Sequence, residues 1–202
     1  MPLWLANEPL VLASRSEARR AMLEAAGIPV EIVAADIDER GIEERADGRS
    51  PQDVAALLAR AKASAVAASR PGRLVIGGDQ TLALGSRLFA KPANRAEAAE
   101  QLRALCSKTH ALYSAVAVIR DGKVLFEHSD SARLTMRAFS DEFLAAYLDA
   151  AGAAASASVG GYQWERLGVH LFDRVDGDHF TILGLPLLAL LQFFRREGLL
   201  TE

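Results

Sequence analysis

The sequence predicts an α/β fold with a mixed β-sheet, and three observations support that prediction. Apolar runs rich in β-formers alternate with helical segments along the 202 residues. Half of the residues are hydrophobic, which is enough for a sizeable core in a single domain over residues 1–202. Charged residues make up 24% of the chain, as in ordinary globular proteins and unlike disordered ones.

Strands and helices alternate regularly through the first part of the chain. Short apolar runs predict the strands, whereas cap residues and the helical spacing of apolar residues predict the helices. The run at residues 74–76 leads into Gly77-Gly78-Asp79-Gln80, where the strand is predicted to end. The predicted strands are 9–13, 29–35 and 74–76, and the predicted helices are 17–26, stopped by Gly27, and 50–69, capped by Ser50.

The second part of the chain predicts a β-hairpin between helices. Asp121-Gly122 joins two β-like runs and is a strong hairpin signal. Asn94 and Ser140 are good helix N-caps. The segment 150–161 consists almost entirely of Ala, Ser and Gly, and is interpreted as a flexible connection or as a loop close to a ligand. The predicted strands are 111–119, 124–127, 131–137 and 169–175, and the predicted helices are 94–105, 140–150 and 185–197.

Composition and charge argue against several functional classes. The formal net charge of −3 does not fit a general nucleic-acid-binding surface, which would carry a basic excess. The most apolar stretch, 185–194, is too short to span a bilayer, and the first residues lack the pattern of a signal peptide. Cys106 is the single cysteine, so an intramolecular disulfide is excluded, which fits a reducing compartment. We therefore expect a cytoplasmic protein that binds neither a nucleic-acid polymer nor a membrane.

Asp79 is the first candidate for a catalytic residue. It follows a buried apolar strand and two glycines, and the ends of such strands are where open α/β sheets place their ligands. The glycines would let backbone or substrate approach closely. From this local pattern alone, an aspartate in a turn is as good an interpretation as a catalytic one.

Several polar and basic residues on separate predicted elements could converge on a triphosphate. Ser14 precedes a helix N-terminus, where backbone N–H groups favour phosphate, and Arg19 would add bidentate pairing. Lys62 lies inside an Ala-rich helix, and Lys91 lies between a predicted strand and the helix that follows it. Each of these cations, taken alone, is more often a solvated surface charge.

Acidic residues indicate a metal site. Glu39 could join Asp79 in holding Mg²⁺ or Mn²⁺, because hard cations bind carboxylate oxygens. Asp36 and Asp38 are interpreted instead as parts of a solvated acidic loop. Cys106 is interpreted as a small core residue rather than a nucleophile, and the four histidines lack the spacing of a zinc site.

Together these stretches resemble the Maf family of nucleotide pyrophosphatases. The resemblance runs along nearly the whole chain. Each motif is weak by itself, but six of them in the family's order and at fitting spacings are specific. The matching stretches are Leu12-Ala13-Ser14-Arg15-Ser16-Glu17-Ala18-Arg19-Arg20, Asp36-Ile37-Asp38-Glu39, the helix around Lys62, Gly78-Asp79-Gln80, Ala90-Lys91-Pro92 and Gly184-Leu185-Pro186-Leu187.

The resemblance implies an elongated mixed β-sheet flanked by helices, with two lobes around a central cleft, as in Maf and inosine triphosphatase-like proteins. It also implies a housekeeping hydrolase, often a homodimer, that uses a divalent cation to convert a nucleoside triphosphate to the monophosphate and pyrophosphate. Asp79 would be the proton acceptor or, with Glu39, a metal ligand, and the sequence leaves both roles open. The substrate phosphates would be bound by Ser14, Arg19, Lys62 and Lys91.

Three positions are implied to set the base preference, namely Ala18, Gln80 and Glu165. Gln80 and Glu165 fit the branch of the family that acts on 7-methyl-GTP. A carboxylate can accept both N1–H and N2–H of guanine, and it favours the positive charge of the methylated base. Ala18 departs from the bulky residue found in either branch, which would widen the base site. The alternatives are a dTTP/UTP pyrophosphatase of the same family and a non-catalytic regulator of septum formation and division.

Overall fold

A computed structural model of the chain describes residues 2–46 and 48–201, and in that part of the chain seven strands form one mixed sheet. The strands are β1 (Leu10–Leu12), β2 (Val30–Ile32), β3 (Val75–Leu84), β4 (Arg87–Phe89), β5 (Thr109–Arg120), β6 (Lys123–Met136) and β7 (Phe172–Asp176). Their order is β2-β1-β3-β5-β6-β7, with β4 paired to β3. Strand β1 is parallel to β2 and β3, whereas β4 is antiparallel to β3 and β7 to β6. The predicted fold class is confirmed.

Helices flank the sheet, and three of them begin at the cap residues that the sequence predicts, Ser50, Asn94 and Ser140. Ser16, Ser50, Asn94 and Ser140 each accept a hydrogen bond from a backbone N–H in the first turn. The α-helices are α1 (Glu17–Ala25), α2 (Glu39–Arg45), α3 (Pro51–Ala67), α4 (Arg95–Leu105), α5 (Asp141–Ala151), α6 (His179–Ile182) and α7 (Leu187–Arg196). Short 3-10 helices lie at Gly152–Ser156, Val159–Gly161 and Leu167–Leu171.

Strand β3 differs from its prediction in a way that matters for the site. It does not end before Gly77-Gly78 but continues through both glycines, so that Asp79 lies inside the strand. A Cβ atom on Gly77 would lie 2.1 Å from the carbonyl oxygen of Ala59 on α3. The glycines therefore allow a helix to pack directly on the strand, and the interpretation of Gly-Gly as a strand end was wrong.

Other differences follow from weak local signals. The predicted strands 124–127 and 131–137 are one 14-residue strand, β6, whose polar middle is partly exposed. The predicted strand 169–175 begins at Phe172 and is preceded by a 3-10 helix. The segment 150–161 contains two short 3-10 helices rather than an irregular loop. Elements α2, β4 and α6 were not predicted, since each is at most seven residues long.

The described residues form two compact units. The first unit comprises Tyr113–Asp130 together with the chain before Thr81 and after Asp178, and the second comprises Thr81–Leu112 and Ser131–Asp178. In the first unit, alternate residues of β1 enter two different apolar clusters, Leu10 and Leu12 in one and Val11 in the other. Both faces of this part of the sheet are therefore covered. The predicted cleft between two lobes stays a prediction.

No helix in the described residues is long and apolar enough to cross a membrane.

Candidate active site

A lysine and two carboxylates meet in the first unit. The Nζ atom of Lys62 donates to Oδ1 of Asp79 at 2.6 Å and lies 2.8 Å from Oε2 of Glu39. The side chains of Lys62 and Asp79 are each 11% exposed, whereas that of Glu39 is 51% exposed. The structure therefore brings together three residues that the sequence placed on separate elements.

The packing of α3 on β3 explains why Lys62 reaches Asp79. Lys62 lies on the buried face of α3, among small residues such as Ala59 and Ala63. Gly77 offers no side chain against this face, so the helix approaches the strand closely. Ser50 fixes the beginning of the helix by accepting the N–H of Asp53 at 3.2 Å.

Arg19 is the second buried cation of the site. Its Nε donates to the carbonyl oxygen of Gly184 at 2.7 Å, and its Nη1 donates to Oγ of Ser14 at 3.2 Å. A Cβ atom would come within 3.3 Å of the guanidinium if added to Gly184, and within 3.1 Å of Nε if added to Gly78. Both glycines therefore make room for Arg19, which explains the glycines of the Gly78-Asp79-Gln80 and Gly184-Leu185-Pro186 motifs.

Burial and charge together set the proton affinities in this cluster. Burial raises the pKa of the Asp79 carboxyl, and the charges of Lys62 and Arg19 oppose that rise. Burial lowers the pKa of Arg19, and the negative charges of Asp79 and Glu39 oppose that shift. A guanidinium keeps its charge in proteins. A carboxylate with a raised pKa, next to two cations, is suited to accept a proton beside bound phosphates.

Glu43 is a residue that the sequence did not single out. Burial and the negative charges of Asp79 and Glu39 raise the pKa of its carboxyl. It lies four residues after Glu39 on α2, so the two carboxylates share one helix face. The i,i+4 spacing was visible in the sequence, but the helix itself was not predicted.

Gln80 is the next residue along β3, so its side chain leaves the strand on the face opposite Asp79. Its Nε2 donates to the carbonyl oxygens of Thr181 and Ile182 at 3.1 and 3.0 Å, and to Oγ of Ser114 at 2.9 Å. The amide nitrogen is thus bound by the protein.

None of the contacts above involves Ala18, Lys91 or Glu165, the remaining predicted site residues. Ala18 is half-buried on α1, in the same unit as the cluster. Lys91 and Glu165 are exposed residues of the second unit, so their roles stay predictions. Trp164 packs edge-on against Phe172 with ring centroids 5.5 Å apart, which fits an ordinary packing role.

The acidic segment and the cysteine follow their sequence interpretations only in part. Asp36 and Asp38 are exposed, as expected, but Asp38 caps α2 by accepting the N–H of Gly41 at 2.9 Å. Cys106 is a free thiol that is half-buried rather than a full core residue.

Asp79 and Glu39 fit a divalent cation that also binds the substrate. Two of their oxygens lie within 2.8 Å of a single cationic atom, the Nζ of Lys62. Mg²⁺ is usually held by one or two carboxylates together with substrate phosphates rather than by a cage of protein ligands. No group of three or more metal-binding side chains is found in residues 2–46 and 48–201.

Comparison with known proteins gives consistent matches. The Maf-like protein family matches residues 9–197. The chain is 59% identical over 201 residues to a nucleoside triphosphate pyrophosphatase of Rhodopseudomonas palustris strain BisB5, covering 100% of both chains. It is 58% identical over 200 residues to a protein of the same name from Bradyrhizobium diazoefficiens, covering 99% of both. It is 50% identical over 194 residues to a 7-methyl-GTP pyrophosphatase of Mesorhizobium japonicum, covering 95% of this chain and 98% of that one.

Proposed function

Since the chain belongs to the Maf family and is a nucleoside triphosphate pyrophosphatase, we propose that its substrate is a guanine nucleotide methylated at N7, such as 7-methyl-GTP. One observation carries the chemistry: Lys62 lies between Asp79 and Glu39. Arg19, a second buried cation, interacts electrostatically with both carboxylates. Proton acceptor and phosphate-binding groups are therefore present in one unit.

The reaction is an attack of water on the α-phosphorus with pyrophosphate as the leaving group. Asp79 accepts the proton of that water, because its raised pKa makes it a stronger base than an ordinary aspartate. Arg19 and Lys62 stabilise the charge that grows on the leaving pyrophosphate. Ser14 and the N-terminal turn of α1 bind phosphate oxygens, and Lys91 adds a further positive charge.

A divalent cation, Mg²⁺ or Mn²⁺, completes this site in the proposal. Asp79 and Glu39 would hold it together with the substrate phosphates, and it would neutralise negative charge on the triphosphate. Since Asp79 would then act both as a metal ligand and as a proton acceptor, the two roles that the sequence left open are compatible.

Base choice is assigned to Glu165 and Ala18 in this proposal. The exposed carboxylate of Glu165 can accept N1–H and N2–H of guanine, and its charge favours a methylated, positively charged base. The small side chain of Ala18 leaves room for a bulky base. The 50% identical relative named a 7-methyl-GTP pyrophosphatase supports the same choice.

A nucleotide panel tests the proposal. Pyrophosphate release should be measured with 7-methyl-GTP, GTP, dTTP and UTP, each with Mg²⁺ and with Mn²⁺. We expect 7-methyl-GTP to have the highest kcat/KM, and turnover to stop when the cation is chelated. Faster turnover of dTTP or UTP would contradict the proposed base, and binding without turnover of any nucleotide would favour a regulator of division. Cytoplasmic location and a homodimer stay predictions.

A further inference from the structure

Gln80 follows the catalytic Asp79 along β3, and the resemblance implies that it selects the base. The contacts of its side-chain amide, however, are made with other residues of the protein. The amide nitrogen faces three oxygens within 3.1 Å, belonging to Ser114, Thr181 and Ile182. The Ser114 hydroxyl donates to the Thr181 carbonyl at 2.7 Å, so its oxygen is free to accept from Gln80. A flipped amide would place Oε1 against two carbonyls, which fixes the orientation of the side chain.

The Thr181 carbonyl is a shared acceptor that connects Gln80 to the glycine motif. It accepts from Nε2 of Gln80, from the hydroxyl of Ser114 and, at 3.1 Å, from the N–H of Gly184. Thr181 and Ser114 are fully buried, so these bonds are shielded from water. The position of Gly184 therefore depends on the group that Gln80 holds in place.

Gly184 in turn positions Arg19. Its carbonyl oxygen accepts from Nε of Arg19 at 2.7 Å, and its backbone adopts a positive φ of 99°. That conformation favours glycine, and added bulk would also crowd the guanidinium. Because Nε is bound to Gly184 and Nη1 to Ser14, these two hydrogen bonds fix the direction in which the remaining N–H groups of Arg19 point.

We infer that Gln80 is a positioning residue that acts on phosphate binding through Thr181, Gly184 and Arg19. This inference rests on the assignment of Arg19 to the phosphates in the proposed function. Loss of the Gln80 amide lets α6 and Gly184 shift, which misplaces the guanidinium. Small misplacements of this kind reduce rates by roughly 10- to 100-fold. Because the effect is on phosphates, it is the same for every base.

A double-mutant cycle separates the two roles. Gln80→Met keeps the length of the side chain but removes its amide, and Arg19→Ala removes the proposed target. The cycle is measured as kcat/KM with 7-methyl-GTP, GTP and dTTP, with Gln52→Met on the exposed start of α3 as the matched control. We expect Gln80→Met to lower kcat/KM by roughly 10- to 100-fold for all three nucleotides, and to cause no further loss in the Arg19→Ala background.

Three outcomes would overturn the inference. They are an undiminished rate, a loss restricted to guanine nucleotides, and a loss that persists in full when Arg19 is already absent. If Gln80→Met does not fold, Ser114→Ala replaces it, since it also weakens the hold on Thr181 while leaving Oε1 of Gln80 available to a base. A wild-type enzyme that prefers dTTP would refute the proposed substrate, yet the cycle could still be read with dTTP.

Discussion

The two compact units differ in the polar groups that they bury. The first unit buries charged groups that compensate one another, with Lys62 and Arg19 near Asp79 and the exposed Glu39, in addition to neutral groups such as Ser114. In the second, they are neutral: Nε2 of His110 lies 2.7 Å from the hydroxyl oxygen of Tyr162, and burial lowers the pKa of His110 to about 4. Burying charges is costly and often adds little stability, whereas a hydrogen-bonded neutral pair costs less.

The difference indicates what each unit's buried polar groups contribute. A compensated charged cluster is retained where chemistry needs a base beside phosphate-binding cations. A neutral cluster, in which burial also raises the pKa of Tyr147 to about 12, serves packing. We therefore expect substitutions in the first cluster to reduce turnover, and substitutions at His110 to change the stability of the fold. The four predictions below test this division.

Asp79→Asn should have the largest effect. Asparagine keeps the shape of the side chain but cannot accept the proton from water, so we expect kcat to fall by about 10³-fold. The fall in kcat is measured as the rate of pyrophosphate release at saturating nucleotide. Asp36→Asn, in the exposed acidic segment, is the matched control and should leave kcat unchanged. Turnover at the parent rate by Asp79→Asn would show that the cluster is not the catalytic site.

Lys62→Met should lower kcat by about 10²-fold, because one stabilising charge is lost from the site. It should also move the acid limb of the pH–rate profile to higher pH. Lys62 opposes the rise of the Asp79 pKa, so its removal leaves Asp79 harder to deprotonate. The exposed Lys123→Met serves as the control. An acid limb that stays in place, or moves to lower pH, would contradict the proposed contact.

His110→Gln should change the pH dependence of stability and not turnover. The pKa of His110 is lower in the folded state, so its neutral form contributes stability above about pH 6.5 that is lost as the pH falls toward 4. The resulting loss of unfolding free energy between pH 7 and pH 5 is about 2 kcal/mol. Glutamine can still bond to Tyr162 but does not titrate. Urea unfolding at both pH values should show a smaller loss of unfolding free energy for His110→Gln than for the parent. Equal losses in the two proteins would refute the assignment of His110 as neutral in the folded state.

Glu165→Gln should have the smallest effect. Removing the negative charge should reduce kcat/KM for 7-methyl-GTP relative to dTTP by about tenfold. The exposed Glu100→Gln of the same unit should leave that ratio unchanged. If the ratio does not change, base choice has to be sought elsewhere in the chain.

Sequence reasoning predicted the long helices for a clear reason. Cap residues such as Ser50 and Asn94 act locally, so helices α3 and α4 began where they were expected. The motif order placed Lys62, Glu39 and Asp79 in one candidate site. The contacts of Lys62 with Asp79 and Glu39 join residues 17 and 23 positions apart, and local patterns alone do not reveal them.

The errors have a common physical origin in tertiary packing. Gly77-Gly78 indicated the end of a strand, yet these glycines make room for α3 and for the guanidinium of Arg19. The amide of Gln80 is likewise held by carbonyls that lie 101 and 102 residues further along the chain, and no local pattern indicates these contacts. Such close approaches depend on partners that are distant in sequence.

The pH dependence of kcat/KM, compared between the parent enzyme and Asp79→Asn, shows whether Asp79 accepts the proton. We expect an acid limb for the parent with an apparent pKa above the ordinary 3.8 of an aspartate, because burial raises the pKa of Asp79. The residual activity of Asp79→Asn should lack that limb. An identical acid limb in the two proteins would show that another group accepts the proton.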